Sequence, residues 1–268
     1  MTGLTDYAGT RHEPAAEGAR ILSLVPSITE LLFDLGLAGN LVGRTHYCVH
    51  PKPEIDDIPS VGGTKKVVLE RVRELAPTHV LVNVDENTRE QVEAIRDLGP
   101  RIVVTHPIEP EDNLQLYRLI GSLFGRAEEA EALAGEFEAA LVGLRTAAAG
   151  LPERDVLYFI WKEPWMTVSQ DTYISRFLSL ANWHTQSHDP ETRYPEVDIT
   201  AELLGRTDLV LFSSEPYAFT TSDIDDFRAA FPCGETTLLP IDGEMTSWYG
   251  SRAIKGARYL QQLAESVV

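Results

Sequence analysis

The fold of this chain is most constrained by an alternation of short apolar runs with amphipathic segments. Its first part carries apolar runs at 21–25, 41–45, 79–82 and 101–104, separated by segments with helical spacing. Short apolar runs predict buried strands, and strands that alternate with helices predict a parallel sheet with crossover helices. Ser27 with Glu30 predicts a capping box at the start of the first helix. Residues 20–107 are therefore predicted to form an N-terminal α/β lobe.

The next segment, 108–150, has a helical period instead. Its apolar residues recur at steps of three and four through roughly ten helical turns, which predicts a long amphipathic helix. Gly125 and Arg126 mark the expected position of a break. The residues of this stripe are Leu116, Ile120, Leu123, Ala127, Ala130, Ala134, Phe137, Leu141 and Leu144. We expect 108–150 to be a connecting backbone helix.

The strand pattern returns in the last part of the chain, 151–268. Apolar runs at 156–160, 209–212 and 237–239 predict strands, and helical segments lie between them. Residues 1–19 lack any such pattern and are predicted to be a disordered tail. The predicted fold class is α/β, with two Rossmann-like lobes whose parallel sheets are joined by a long backbone helix.

Charge and composition exclude several classes of function. The 268 residues include 23 Lys and Arg against 41 Asp and Glu, a formal charge of -18. Nucleic acid is not an expected partner, because phosphate backbones are bound by clustered cations. No apolar run is long enough to predict a membrane span. The N-terminal residues do not resemble a secretory signal, and the two cysteines suit a reducing compartment, so we expect a cytoplasmic protein unless the chain is a processed form.

Residues that follow the predicted strands are the first candidates for a site, because ligands of open α/β sheets bind at the carboxyl ends of strands. His46, Cys48 and His50 follow the second strand. In an extended segment they would share a face and could bind zinc, copper or iron, with Glu86 or His106 as further ligands. The alternative is a loop with a buried cysteine and surface histidines. A third hypothesis makes Cys48 an enzymatic nucleophile, for which no orienting group can be identified.

The second lobe carries an unusual number of aromatic residues after its strands. Aromatic side chains in such loops either pack beneath them or line an apolar cleft for a flat ligand. We favour the cleft, with carboxylates and an arginine as polar contacts. The candidate ligand-binding residues of this lobe are Trp161, Trp165, Met166, Glu215, Asp242, Glu244, Trp248, Tyr249 and Arg252.

Motifs of nucleotide and hydrolase chemistry are missing from the sequence. No G-x-G-x-x-G follows the first strand, and no G-x-S-x-G occurs anywhere. The segment 62–66, with the sequence GGTKK, is too short for a phosphate-binding P-loop. The sequence therefore gives no support for nucleotide binding or for an α/β-hydrolase site.

Three stretches carry a resemblance to a known family. They are RILSLVPSITELLFDL at 20–35, the LER of 69–71 with LAPTHVLV at 75–82, and LLGRTDLVL at 203–211. They resemble the helical-backbone (class III) periplasmic binding proteins, the group that includes vitamin B12, iron–siderophore and haem binders. The resemblance implies a two-lobed fold that binds its ligand in the cleft between the lobes.

The resemblance also implies roles for individual residues. Tyr47, Trp161 and Asp242 fall at positions that contact the ligand in the vitamin B12-binding members, as do Trp248 and Tyr249. Two further cleft tryptophans of those members have no counterpart, because Thr64 and Val82–Asn83 stand there. The YC-x-H, WMTV and SWYG segments are similar to cytosolic members known as helical-backbone metal receptors.

Docking on a membrane permease is a separate implication of the resemblance. Glu70 matches the glutamate with which the first lobe docks. The matching position of the second lobe falls near Thr200 and Ala201, with Glu202 only close by, and this mismatch argues against docking.

The function predicted from these observations is binding of a metal-containing small molecule without catalysis. A corrinoid such as cobalamin is favoured, with an iron–siderophore complex or haem next, and no cofactor is required. Tyr47 and the tryptophans would supply flat apolar area, and Asp242 and Glu244 would accept hydrogen bonds. Cys48 or His50 could coordinate the metal axially. The alternatives are a protein that binds a bare metal ion through His46, Cys48 and His50, and an enzyme with Cys48 as nucleophile.

Overall fold

The computed structural model describes residues 4–187 and 192–267, and the chain divides into two units. Unit 1 comprises Met1–Pro107, Glu111–Phe137 and Tyr249–Arg252. Unit 2 comprises Ile108–Pro110, Glu138–Trp248 and Ala253–Val268. The short segment 249–252 thus belongs with the first unit, although its place in the sequence predicts the second lobe.

Unit 1 is built on a four-stranded parallel sheet. The strands of the whole unit, which include two outside this sheet, are Ile21–Ser23 (β1), Leu41–Arg44 (β2), Gly62–Gly63 (β3), Lys66–Val67 (β4), His79–Asn83 (β5) and Arg101–Thr105 (β6). Its helices are Pro26–Asp34 (α1), Leu69–Leu75 (α2), Arg89–Arg96 (α3) and Asp112–Leu123 (α4), with 3-10 turns at Ala38–Asn40 and Glu54–Asp57. The sheet order is β2-β1-β5-β6, while β3 and β4 form a separate antiparallel hairpin.

Apolar side chains on the strands explain why this sheet forms. All five residues of β5 are buried, as expected for a central parallel strand covered by helices on both faces. Leu22, Val80 and Ile102 of three neighbouring strands pack with Val72 of α2 and Ile95 of α3. The core therefore joins the strands to their crossover helices, as the sequence pattern predicts.

The N-terminal segment differs from the disordered tail expected at 1–19. The amide of Tyr7 donates to the carbonyl of Val104 at 3.0 Å, and the Val104 amide donates to a carboxylate oxygen of Asp6 at 3.0 Å. The same oxygen lies 3.0 Å from the ring of buried His12. Polar bonds to the edge strand β6, which an apolar pattern does not reveal, thus hold residues 4–12 in place.

Two helices occupy the predicted connecting segment. Helix α4 ends at Leu123, and Ala127–Ala148 forms the long helix α5 of 22 residues. Gly125 has a φ of 72°, a left-handed backbone that glycine adopts without strain. A Cβ on Gly121 would lie 2.4 Å from the Cβ of Ala130, so glycine lets the two helices pack closely. The predicted break near Gly125 and Arg126 is confirmed.

Unit 2 has a second four-stranded parallel sheet. Its strands are Arg154–Phe159 (β7), Trp183–Thr185 (β8), Leu209–Ser213 (β9) and Thr237–Ile241 (β10). Its helices are Tyr173–Ser179 (α6), Ala201–Gly205 (α7), Thr221–Ala230 (α8), Gly243–Ser247 (α9) and Arg252–Ser266 (α10), the last beginning in segment 249–252. The sheet order is β10-β9-β7-β8. The two parallel sheets confirm the predicted α/β class.

An aromatic cluster fills one face of the second sheet. Phe159 of β7 and Phe212 of β9 have ring centroids 5.6 Å apart, and both contact Phe227 of α8. All three side chains are buried.

Within the residues described, no helix is both long and apolar enough to cross a membrane.

Candidate functional site

In each sheet the order in which the chain adds strands reverses at one point, the switch point. The loops at a switch point are where ligands of α/β sheets bind. In unit 1 the chain runs from β1 outward to β2 and then returns to β5 on the other side of β1. In unit 2 it runs from β7 to β8 and then returns to β9 on the other side of β7. Crevices at the carboxyl ends of strands form at such switch points. Ligand contacts are therefore expected in the loops after β1, β5, β7 and β9.

In unit 2 the switch point presents a pair of aromatic rings, Trp161 and Tyr217, which we name the aromatic corner. Trp161 follows β7 and is 40% exposed, and the half-buried Tyr217 follows β9. Their ring centroids lie 5.7 Å apart at 76°, an edge-to-face contact. The Tyr217 amide donates to the carbonyl of Ile160 at 3.2 Å, which fixes one loop against the other. The corner exposes part of the Trp161 indole at the place where α/β sheets bind ligands.

Trp165, in contrast, packs with the core of unit 2. Its ring stacks on Phe219 at 5.9 Å and 5°, and it contacts Phe159 and Phe227 as well. The loop turns its half-buried indole against the aromatic cluster, and contact of Trp165 with a ligand stays a prediction. Met166 is half-buried, and its main chain pairs with Trp161, so it supports the corner.

Glu215 holds the next predicted aromatic residue, Trp248, in place. The Glu215 carboxylate accepts hydrogen bonds from the Trp248 indole at 2.8 Å and from the Ser247 hydroxyl at 2.6 Å. Burial raises the pKa of the Glu215 carboxyl, and the negative charges of Glu244 and Asp242 raise it further. Trp248 itself is buried. Trp248 therefore closes the loop over Glu215, and little of its ring is exposed to solvent.

The loop after β10 is shaped by a close approach of two backbones. A Cβ on Gly243 would lie 2.4 Å from the Ser213 hydroxyl oxygen, so only glycine fits. The Gly243 amide donates to the Ser214 hydroxyl at 2.9 Å. Asp242 caps the short helix α9 by accepting from the Met245 amide at 3.3 Å. Asp242 thus has a local structural role, and its charge acts on the nearby carboxyl of Glu215.

In unit 1 the switch point is held together by asparagine. The side chain of Asn87 accepts from the Asn83 amide at 2.9 Å, and it donates to the carbonyl of Thr64 at 2.9 Å. These bonds fix the loop after β5 against the β3–β4 hairpin. In the same loop, Glu86 accepts a hydrogen bond from the hydroxyl of Tyr249 at 2.9 Å.

Tyr249 and Arg252 lie in segment 249–252, and both are buried in unit 1. Burial raises the pKa of the Tyr249 phenol, and the Glu86 charge raises it further. Arg252 forms a two-pronged ion pair with Glu30 of α1, at 2.6 and 3.0 Å. The guanidinium of Arg252 is thus bound to Glu30 inside the unit, and its contact with a ligand stays a prediction.

The structure does not bring His46, Cys48 and His50 onto one face. The chain turns after β2, with the Cys48 amide donating to the Thr45 carbonyl at 3.2 Å. His46 is exposed, Cys48 is buried and His50 is half-buried. In the part of the chain that the structure describes, no group of three His, Cys, Asp or Glu residues is placed to hold a metal ion. The chain turns where a shared face requires an extended segment, so the structure has the arrangement of the alternative interpretation, a loop with a buried cysteine, and a metal site at these residues stays a prediction.

Cys48 is also poorly suited to be a nucleophile. Its sulfur lies 3.1 Å from the Thr29 hydroxyl and 3.2 Å from the Thr45 hydroxyl. Burial raises the pKa of the Cys48 thiol, and the two hydroxyls offset this only in part. A buried, protonated thiol is inert, since the thiolate is the reactive form.

Tyr47 is an exposed aromatic residue of unit 1. Its side chain is 55% exposed, and its ring lies 4.1 Å from that of His46. Both rings rest on the hairpin, where a Cβ on Gly63 would lie 3.2 Å from the His46 ring and 3.4 Å from the Tyr47 ring. The His46 amide donates to the carbonyl of Gly62 at 2.8 Å. The hairpin therefore carries Tyr47 and His46 at the end of β2.

His106, the remaining predicted candidate, follows β6. Its ring lies 3.2 Å from the carboxylate of Asp85, and Tyr7 of the N-terminal segment packs edge-on against it at 4.6 Å. Nearby, residues of that segment, β6 and α4 line a cavity of about 310 Å³. His106 thus orients the loop after β5 instead of joining Cys48.

Sequence reasoning missed several residues that shape these loops. Tyr217 and Asn87 stand shortly after predicted strands, so their position was a usable signal. The capping box expected of Ser27 and Glu30 does not form, because Val25 occupies the cap position and Glu30 faces Arg252. Nothing in the local sequence predicts a pairing across more than two hundred residues.

A profile of the periplasmic binding protein family matches residues 21–213, more than half of the chain. The chain belongs to the periplasmic binding protein family. The resemblance stated from the sequence is thereby confirmed. The vitamin B12-binding protein of Photorhabdus laumondii is 24% identical over 202 residues, which cover 75% of this chain and 73% of that protein.

Solved structures of the family share the fold of this chain. The periplasmic vitamin B12-binding protein of Vibrio cholerae matches with a TM-score of 0.78 at 19% identity, over 92% of this chain and 97% of that chain. A periplasmic haem-binding protein from Roseiflexus matches with a TM-score of 0.78 at 19% identity, over 93% and 97%. The family is one of binding proteins, in agreement with the prediction of binding without catalysis.

Glu70, predicted to dock on a permease, lies in the first turn of α2. Its carboxylate is exposed and pairs with Arg73 at 2.7 Å. An exposed glutamate on a helix end suits a docking contact, and docking by this family member stays a prediction.

Proposed function

We propose that this member of the family binds a metal-containing small molecule and does not transform it. A corrinoid is the favoured ligand, because the matched relative from Photorhabdus laumondii is named a vitamin B12-binding protein. Haem is the second candidate, because the Roseiflexus structure is that of a haem-binding protein, and an iron–siderophore complex is the third. No resident cofactor is part of the proposal.

The observation that carries the proposal is the aromatic corner. Trp161 and Tyr217 stand in contact at the switch point of unit 2, and the Trp161 ring is exposed. An exposed indole at a switch point is costly to leave in water, and a flat macrocycle would cover it. Tyr47 provides a comparable exposed ring on unit 1. We therefore assign the ligand contacts of unit 2 to Trp161 and Tyr217, and that of unit 1 to Tyr47.

Hydrogen-bonded carboxylates in the loops of each unit favour a fixed site over an adaptable one. Glu215 is engaged by Trp248 and Ser247, and Glu86 is engaged by Tyr249. Loops whose side chains are already hydrogen-bonded lose little conformational freedom when a ligand binds. This supports a role for Glu215 and Trp248 in presenting the site.

Binding measurements with three probes test the proposal. Cyanocobalamin, haemin and a ferric hydroxamate are titrated into the purified protein, and the absorption spectrum of protein purified from its own cell identifies any ligand already bound. We expect Trp161→Ala to weaken binding of the preferred probe by about tenfold, because a stacked ring contributes about 1 kcal/mol beyond its buried area. Val142→Ala, which removes an exposed apolar side chain from α5, is the control and should bind as the original protein does.

The outcome against the proposal is equally definite. If none of the three probes binds, or if Trp161→Ala leaves every affinity unchanged, the aromatic corner is not the ligand site. Stoichiometric metal without an organic chromophore would instead favour the bare-ion alternative. That alternative has the weaker geometric support, since His46 and Cys48 differ in exposure.

The cellular location is tested separately. The cytoplasmic prediction does not fit the two solved relatives, which are named as periplasmic proteins. Fractionation of the source cell, followed by immunodetection of this chain, decides between the two compartments.

A further inference from the structure

We propose that the β3–β4 hairpin, residues 62–67, recognises acidic substituents of the bound metal complex through Lys65 and Lys66. The inference rests on the proposed function and deepens it, because it names the class of complex: one that carries carboxylate or phosphate groups. This segment is too short for a phosphate-binding P-loop, and in the structure it forms an antiparallel hairpin.

The backbone of the hairpin is rigid. Gly62 has a φ of 117°, and a Cβ there would lie 2.5 Å from the Lys66 carbonyl oxygen, so only glycine allows this turn. Gly62 pairs with Val67, and Gly63 pairs with Lys66. The two ladder pairs leave Thr64 and Lys65 at the tip. The positions of Lys65 and Lys66 are thus set by the backbone.

The hairpin is tied to both loops that surround the site on unit 1. On one side the His46 amide donates to the Gly62 carbonyl at 2.8 Å, and Tyr47 rests against Gly63. On the other side the Asn87 side chain donates to the Thr64 carbonyl at 2.9 Å. The tip therefore lies between the loop that presents Tyr47 and the loop that follows β5.

Two lysines at this tip are conspicuous in an acidic chain. The sequence has only five lysines against 41 acidic residues, and two of the five are adjacent here. Both side chains are exposed. Among the ion pairs of the described residues, none involves Lys65 or Lys66.

The acidic residues of the neighbouring loop are engaged elsewhere. Asp85 lies 3.2 Å from the His106 ring, and Glu86 accepts from Tyr249. Lys65 and Lys66 thus form no ion pair with either of these two carboxylates. A ligand whose ring contacts Tyr47 and whose acidic arm reaches the tip would find two cations there, and charge-assisted hydrogen bonds are the stronger kind.

Pairs of acids and esters with the same metal and ring test the inference. The probes are haemin with its dimethyl ester, and dicyanocobyrinic acid with its heptamethyl ester. We expect the original protein to bind the acid of a pair more tightly than the ester by about two- to tenfold, the range of two exposed charge pairs. The preference should shrink as salt is raised, because ions screen exposed charges.

The decisive variant is the double substitution Lys65→Gln with Lys66→Gln. It should reduce the ratio of the affinity for the acid to the affinity for the ester to about one, while the affinity for the ester stays constant. Arg73→Gln with Arg96→Gln is the matched control, since it removes the same charge from exposed positions on α2 and α3 of the same unit. The control should keep the preference. Equal reduction by both double variants would mean a general charge effect and would overturn the inference.

The two proposals fail in different ways. If acid and ester bind equally in the original protein, the hairpin proposal fails and the proposed function stands. If no member of either pair binds, the hairpin proposal fails, and the proposed function fails with it only if cyanocobalamin and the ferric hydroxamate do not bind either. A preference that survives in the Lys65→Gln, Lys66→Gln protein also overturns the role of the hairpin.

Discussion

Removing the carboxylate of Glu30 should strongly destabilise unit 1, because it breaks a buried ion pair. Glu30 accepts from Arg252 at 2.6 Å and 3.0 Å, and the two side chains are only 7% and 8% exposed. Glu30→Gln keeps the shape of the side chain but leaves the guanidinium charge without its counter-charge. Breaking a buried pair in this way costs about 3–5 kcal/mol of unfolding free energy.

The assay can separate the two units, because all four tryptophans of the chain lie in unit 2. Urea unfolding is followed by tryptophan fluorescence, which reports unit 2, and by far-ultraviolet circular dichroism, which reports both units. If the units unfold together, Glu30→Gln should shift both transitions to lower urea. If they unfold separately, only the circular dichroism should show the loss.

Two controls set the scale of this loss. Glu70→Gln breaks the exposed pair with Arg73 and should cost less than about 1 kcal/mol. Glu30→Leu combined with Arg252→Leu removes both charges and should recover most of the stability, since apolar replacements of buried pairs are often neutral. A loss below about 1 kcal/mol for Glu30→Gln in both signals would refute the buried-pair reasoning.

Three further predictions concern stability. Trp165→Ala should lower the unfolding free energy by about 3 kcal/mol, because it opens a cavity in the aromatic cluster, and urea unfolding measures this. Burial lowers the pKa of His79 from 6.5 to about 4, so the contribution of neutral His79 to stability is complete above pH 6.5 and is lost as the pH falls towards 4. The unfolding free energy should fall by up to about 3 kcal/mol over this range, and by less in His79→Gln, when urea unfolding is measured at each pH. Gly243→Ala should lower the melting temperature, because its methyl group would overlap Ser213, while Gly205→Ala, with open space around it, should not.

Most elements of the fold were predictable because they leave a local pattern in the sequence. Most core strands differ from their predicted bounds by one or two residues. The short strand β8 and the β3–β4 hairpin were missed. A strand of three residues and a hairpin of two-residue arms are too short to show a period.

The site was predictable only in part, because position along the chain does not give the direction of a side chain. Trp161 and Trp165 are four residues apart in one loop, and the structure exposes the first and packs the second into the core. A backbone turn separates His46 from Cys48 in the same manner. The loop conformation that decides each case depends on distant residues, such as Phe219 for Trp165.

Carboxylates of the chain hold several of the expected ligand residues in place. The charge of -18 suggests a solvated acidic surface, but three of the acidic side chains hold predicted site residues by hydrogen bonds or ion pairs. The pairs are Glu30 with Arg252, Glu86 with Tyr249, and Glu215 with Trp248. Each partner is thereby fixed before any ligand arrives. Selectivity between ligands should then depend on the exposed groups, Trp161, Tyr47 and the two hairpin lysines, and substitutions there should change affinity without changing the unfolding free energy.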